Sequence, residues 1–226
     1  MHEELIHKLF DLQDIKYRDF HSRLCPGAHN MIGVRIPLLR KLANDLNKTN
    51  FYDFLHTVKN QYYEETMIEG FVIATAKMSL SERFEFLQKF VPKIDNWAVC
   101  DCVAASFKIK TADLSKYWNF IMQYQNSNQE YELRFMLIMI LDHFLYPEYL
   151  TQIFQTLNHI HSDQYYVNMA QAWLIAEMFT KHRDVTLQFL QKNNLSNWVQ
   201  NKAIQKARES YRVSEVDKTM LSKLKR

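Results

Sequence analysis

Asp95-Asn96-Trp97-Ala98-Val99-Cys100-Asp101-Cys102 lies near the middle of a chain that otherwise reads as one helix after another. Pro92 breaks the chain just ahead of it, and Asn96 to Lys108 reads as a helix. Trp97 and Asp101 are four residues apart, which on an α-helix sets one above the other on a single face, an aromatic wall beside a carboxylate. Two readings fit that pair. A carboxylate next to an indole suits a cationic reaction centre; equally, Asp101 caps or bridges neighbouring helices while Trp97 fills a core. The rest of the chain decides between them.

Upstream, helical spacing of apolar residues predicts helices over Glu3 to Leu12, Ile15 to Leu24, Phe51 to Lys59, Glu64 to Met78 and Ser81 to Phe90. Pro26-Gly27 stops the second of these. A loop at Gly33 to Pro37 feeds a further helix, with Pro37 in its first turn and Leu38, Leu39, Leu42 and Leu46 as its apolar face. Downstream, helices are predicted over Asp113 to Gln125, Tyr131 to Leu145, Glu148 to Asn158, Gln164 to Thr180, Asp184 to Lys192, Ser196 to Ser210 and Ser214 to Lys225. Trp118 and Trp198 are expected to pack between helices, Trp198 having the backbone of a bound partner as its other option. Met136 to Met139 reads as core, and Asp142, eight residues after Arg134, as a buried partner for it.

No stretch reads as a strand. Three glycines and four prolines in 226 residues leave little room for β-hairpins, and 47% hydrophobic residues are enough for a continuous core, so the fold class is all-α. Cys25, Cys100 and Cys102 have no zinc-ligand spacing and read as reduced packing residues. His159 and His161 do not share a helix face, so no metal site is expected. Met1-His2-Glu3-Glu4 does not begin a signal peptide, and Phe135 to Leu141 is too short to span a bilayer; a cytoplasmic protein without membrane contact is expected. Charge is uneven: from Lys181 to Arg226 eleven Lys/Arg face four Asp/Glu, a net of +7, while the first 180 residues carry 17 against 21, a net of −4. The basic end is a candidate polyanion surface.

Trp97, Arg134 and Trp173 are separated by 37 and 39 residues, close to the roughly 40-residue period of HEAT-type helix pairs. This predicts one domain over 1–226, a right-handed superhelical solenoid of HEAT-like antiparallel helix pairs with a concave basic groove. Trp97, Asp101, Arg134 and Trp173 would meet on the concave side. Lys202, Lys206 and Arg208 would extend its positive lining, Lys202 and Lys206 sharing a helix face and suiting the phosphates of a duplex.

With Ile32-Gly33-Val34-Arg35-Ile36-Pro37-Leu38-Leu39-Arg40-Lys41-Leu42, Asn96-Trp97-Ala98-Val99-Cys100-Asp101, Tyr131-Glu132-Leu133-Arg134, Met169-Ala170-Gln171-Ala172-Trp173 and Asn201-Lys202-Ala203-Ile204-Gln205-Lys206 in this order, the sequence resembles the AlkD-like DNA alkylation repair proteins, a family of HEAT-like-repeat DNA glycosylases. The resemblance implies excision of cationic alkylated purines such as 3-methyladenine and 7-methylguanine from duplex DNA by a monomer, without metal or cofactor and without a deep base pocket. It implies Asp101 facing the oxocarbenium-like sugar and positioning water, Trp97 and Trp173 flanking the sugar and backbone, and Arg134 on phosphate. It places Arg35, Arg40, Lys41, Tyr131, Lys202, Lys206 and Arg208 among the DNA contacts. Tyr131 stands where the family carries Trp, and Ala172 where it carries Gly. The alternatives are a HEAT-like DNA-binding protein without excision, and a helical scaffold for protein or RNA.

Overall fold

The computed structural model describes residues 2–226, which divide into two compact units, one up to Lys110 and one over Thr111–Arg226. The described residues form helices and no strand. The first unit holds α1 (His2–Asp11), α2 (Ile15–Leu24), α3 (Ile36–Lys48), α4 (Phe51–Thr57), α5 (Tyr63–Thr75), α6 (Leu80–Phe90) and α7 (Trp97–Ala104). The second holds α8 (Leu114–Met122), α9 (Glu130–His143), α10 (Leu150–His159), α11 (Tyr165–Lys181), α12 (Arg183–Gln191), α13 (Asn197–Glu209) and α14 (Glu215–Ser222).

Within each unit, alternate helices stack. In the first, α3 packs on α5 and α5 on α7; in the second, α9 packs on α11 and α11 on α13. Burial follows from this. α5 is buried from Tyr63 to Ala74 and α9 from Leu133 to Leu141, since each has neighbours on several sides. Met136 and Met139 are fully buried, as their adaptable side chains suit an irregular interior.

Local chemistry sets the helix ends. Ser79 and Glu82 exchange side-chain and backbone hydrogen bonds to open α6. The helix expected over Glu64 to Met78 stops at Thr75, because the Arg83 guanidinium takes the carbonyls of Ile73 and Ala76. The helix expected over Asn96 to Lys108 stops at Ala104, where Ser106 Oγ and Arg40 Nη2 both donate to the Cys102 carbonyl. Pro147 opens a 3-10 turn, Pro147–Tyr149, ahead of α10.

Two expectations need correction. Trp118 does pack between helices, against Phe144 and Tyr149, but Trp198 is 41% exposed in the first turn of α13 and touches Tyr165 and Lys202. Asp142 is exposed, because it falls at the solvent edge of the last turn of α9 while Arg134 points into the unit.

Candidate functional site

α7 is short, and its N-terminus is built around Asn96. The Asn96 side chain accepts from Val99 N at 2.9 Å and from Cys25 Sγ at 3.2 Å, capping the helix and tying it to the end of α2. Trp97 is its first residue, and its Nε1–H donates to the Leu24 carbonyl at 2.9 Å. The turn after α2 closes against the same place: a Cβ on Gly27 would lie 2.6 Å from the Asp95 carbonyl oxygen. The end of α2 is therefore clamped to the start of α7. The sequence signals for this were only a helix-stopping Pro26-Gly27 pair and a cysteine.

His21, one turn before Cys25, completes the clamp. Its ring stacks on Tyr17, stands edgewise to Trp97 and Tyr63, and its Nε2 lies 3.2 Å from Tyr63 Oη. Burial holds its pKa below the ordinary histidine value. Burial also pushes the Cys25 thiol up to about 11 and raises Cys102, so both stay protonated and unreactive near neutral pH. Asp101, one turn beyond Trp97, is half-buried, as is the Trp97 ring.

Three buried glutamates in α5 hold neighbouring parts of the chain. Glu64 accepts from the backbone N–H groups of Ile32, Gly33 and Val34 at 3.0, 2.7 and 3.1 Å, holding the loop that enters α3. Gly33 sits there at φ 103°, where a Cβ would meet Arg18 Cβ at 2.6 Å and the Asp14 carbonyl at 2.7 Å. Glu65 accepts from the Gln61 and Tyr62 amides, and Glu69 pairs with Lys93 at 2.7 Å. Sequence reasoning passed over these residues; three carboxylates in the mostly apolar run from Tyr63 to Ala76 were the available signal, since a buried charge requires partners.

The basic residues expected at the groove have varied surroundings. Arg35 is exposed, paired with Asp14 at 2.8 Å, with its guanidinium over the Tyr17 ring. Arg40 lies over the Phe71 ring and donates to Ser106 Oγ at 2.6 Å, so it also anchors the end of α7. Lys41 is exposed on the rim of a groove of about 750 Å3 between α1 and α3, whose floor includes Leu5, Leu12, Leu38 and Leu42.

In the second unit, Arg134 is 5% exposed. Its Nη1 donates to the Tyr166 carbonyl at 2.8 Å and its guanidinium faces the Tyr166 ring, against which Tyr131 also packs. Trp173 is 40% exposed on α11, a helix otherwise buried from Ala170 to Ala176. Lys202 extends over Trp198, Lys206 pairs with Glu209 at 2.9 Å, and Arg208 is exposed.

Trp97, Arg134 and Trp173 do not occupy equivalent places in their helices. They are the first residue of α7, the fifth of α9 and the ninth of α11. These helices begin 33 and 35 residues apart, so spacings of 37 and 39 residues advance the named residue by about one helical turn each time. Among the described residues, no three His, Cys, Asp or Glu side chains stand together in a way that could hold a metal ion, and no helix is long and apolar enough to cross a membrane. No curated protein matches the sequence. A family model does match residues 5–207, and its description is DNA alkylation repair enzyme.

Proposed function

The chain belongs to the DNA alkylation repair enzyme family, and from that premise we propose that it is a DNA glycosylase that removes cationic alkylated purines, such as 3-methyladenine and 7-methylguanine, from duplex DNA. Repair of alkylated DNA is the family's role; the substrates and the bond cleaved are this reading. The observation that carries it is α7, where a half-buried carboxylate, Asp101, lies one turn from an indole whose N–H is fixed on the Leu24 carbonyl. A ring immobilised in this way presents its face rather than a donor, which suits a developing positive charge.

An alkylated purine that already carries positive charge is a good leaving group, so cleavage of the N-glycosidic bond needs little acid assistance. What the site must supply is stabilisation of the charge that builds on the deoxyribose. Asp101 provides the negative charge facing that sugar and orients the attacking water; water adds at the anomeric carbon as the base departs, neutral, with the bonding electrons, and the proton that the water sheds passes to solvent. Trp97 and Trp173 flank the sugar and backbone. Arg134, Arg35, Arg40, Lys41, Lys202, Lys206, Arg208 and Tyr131 serve duplex binding, and the protein acts as a monomer without cofactor. The stacking of alternate helices within each unit supports the HEAT-like repeat part of this reading.

A second reading, duplex binding without excision, is favoured by the departures from the resembled family, Tyr131 where that family carries Trp and Ala172 where it carries Gly. One experiment separates the two. Methylated duplex is incubated with the wild type and with Asp101→Asn, and released 3-methyladenine and 7-methylguanine are measured alongside duplex affinity. Glycosylase action is expected to release both bases, with the variant slower by about a hundredfold and its affinity retained. Salt-sensitive binding without release by the wild type would leave the second reading, and no binding would leave a scaffold for other partners.

A further inference from the structure

The starts of α9, α11 and α13 bring four aromatic residues of the second unit into one row. Tyr131 is the second residue of α9, Tyr165 and Tyr166 open α11, and Trp198 is the second residue of α13. Because α9 packs on α11 and α11 on α13, ring follows ring. The centres are 5.7 Å apart from Tyr131 to Tyr166, 5.2 Å from Tyr166 to Tyr165 and 5.8 Å from Tyr165 to Trp198. The proposed reaction calls on Tyr131 alone of the four.

Exposure rises along the row. Tyr131 and Tyr166 are half-buried, whereas Tyr165 is 56% exposed and Trp198 41%. Tyr165 stands at 81° to Tyr166 and at 69° to Trp198. In such edge-to-face contacts the ring that offers its edge keeps both its faces free of the other, where parallel stacking would cover one. Single exposed rings are ordinary on a protein surface, but adjoining ones form an apolar patch of the kind that marks a place for a partner.

Charge beside the row selects the partner. Lys202, one turn after Trp198, sets its Nζ 5.6 Å from the centre of that ring and is hydrogen-bonded to the neutral Gln205 rather than to a carboxylate. At the other end Glu130 accepts from the Tyr166 N–H at 2.9 Å, so its charge is spent on the backbone. The stretch from Lys181 to Arg226 has a net charge of +7. A polyanion that carries flat apolar groups fits these features, and that is a nucleic acid. Spacing separates its two forms. Steps of 5.2 to 5.8 Å are wider than the about 3.4 Å between bases along each strand of a duplex, so a strand that follows the row must have its bases unstacked. Duplex bases cover one another's faces; a single strand offers them to aromatic side chains.

We infer that this row, with Tyr165 and Trp198 as its exposed steps, binds single-stranded DNA by stacking on its bases while Lys202 meets the phosphates. No bond is made or broken there. This rests on the DNA-binding reading of the protein and adds to it a second mode, for unpaired strand.

The test titrates the full chain with a short fluorescent oligothymidylate, which does not pair with itself, and separately with a duplex of the same length. The wild type is compared with Tyr165→Ala, Trp198→Ala and Trp198→Phe, the last of which keeps a ring. Each alanine is expected to weaken single-strand binding about tenfold, the size of one base stacked on one ring, and to leave duplex affinity and melting temperature unchanged. Trp198→Phe is expected to retain most of the single-strand affinity. Unchanged single-strand binding in both alanine variants overturns the inference, because the strand is then held elsewhere. Equal losses on the two DNAs overturn it too, since the rings would then serve the duplex. A wild type that binds duplex but no single strand overturns it and leaves the row to a protein partner, with the DNA-binding reading intact. Should neither DNA bind, that reading itself fails, and this inference with it.

Discussion

His21 shows how one residue can tie a helix to a site. Its ring is closed in by Tyr17, Tyr63 and Trp97, none of which is charged near neutral pH, and burial keeps it deprotonated at pH values where an exposed histidine takes up a proton. The sign follows from linkage. Below the ordinary value of 6.5 the unfolded chain binds a proton that the folded chain refuses, so the contribution is complete above that pH and is lost as pH falls from 6.5 towards the depressed native value. The melting temperature is therefore expected to fall through this window in the wild type, with a shallower fall in His21→Gln; parallel curves would mean that His21 has no such role. Little of this was legible in the sequence, where His21 was one of nine histidines in a helix without a motif. That Trp97 and Asp101 lie a turn apart in one helix was legible, because residues four apart on a helix share a face.

At the scale of the element, α7 depends on close approach to α5. Gly70 faces it, and a Cβ at that position would collide with both Val103 of α7 and Phe90. Gly70→Ala is expected to destabilise the protein. Crowding costs about 1–3 kcal/mol, offset in part by the roughly 1 kcal/mol that alanine gains over glycine within a helix. A fall in melting temperature of about 3 °C, with reduced excision because α7 is displaced, is the expected result; a rise would show that the two helices part without cost. Helix positions were readable from apolar spacing almost throughout, and α2 and the last residue of α6 fall where the pattern puts them. The ends of α5 and α7 were not, since Arg83 and Arg40 close them from other parts of the chain, and side chains that act at a distance leave no local trace.

For the whole molecule, the decisive quantity is where charge lies. The net of +7 after residue 180 is partly answered within the fold: Lys206 is paired with Glu209, Arg183 with Asp217 and Arg212 with Glu177. Lys202, by contrast, lies over an exposed indole. If the pair on α13 contacts phosphate, Lys202→Ala with Lys206→Ala should weaken duplex binding whatever the sequence and reduce the slope of log affinity against log salt by about 1.8, or about 0.9 for each contact. An unchanged slope would make these lysines solvated surface. Family membership was legible from five short anchors in order, whereas the burial of Arg134 was not, because nothing in Tyr131-Glu132-Leu133-Arg134 shows that the Tyr166 carbonyl, 32 residues on, takes its guanidinium.

The clamp between α2 and α7 bears on how the first unit assembles. Most of the packing in that unit joins helices close in sequence, but the bond from Trp97 to Leu24 spans 73 residues and passes over four intervening helices. Closing so long a loop costs entropy that is recovered only when α3 to α6 already hold the two ends near each other. The contact that fixes Trp97 is therefore expected to form only after α3 to α6 have packed.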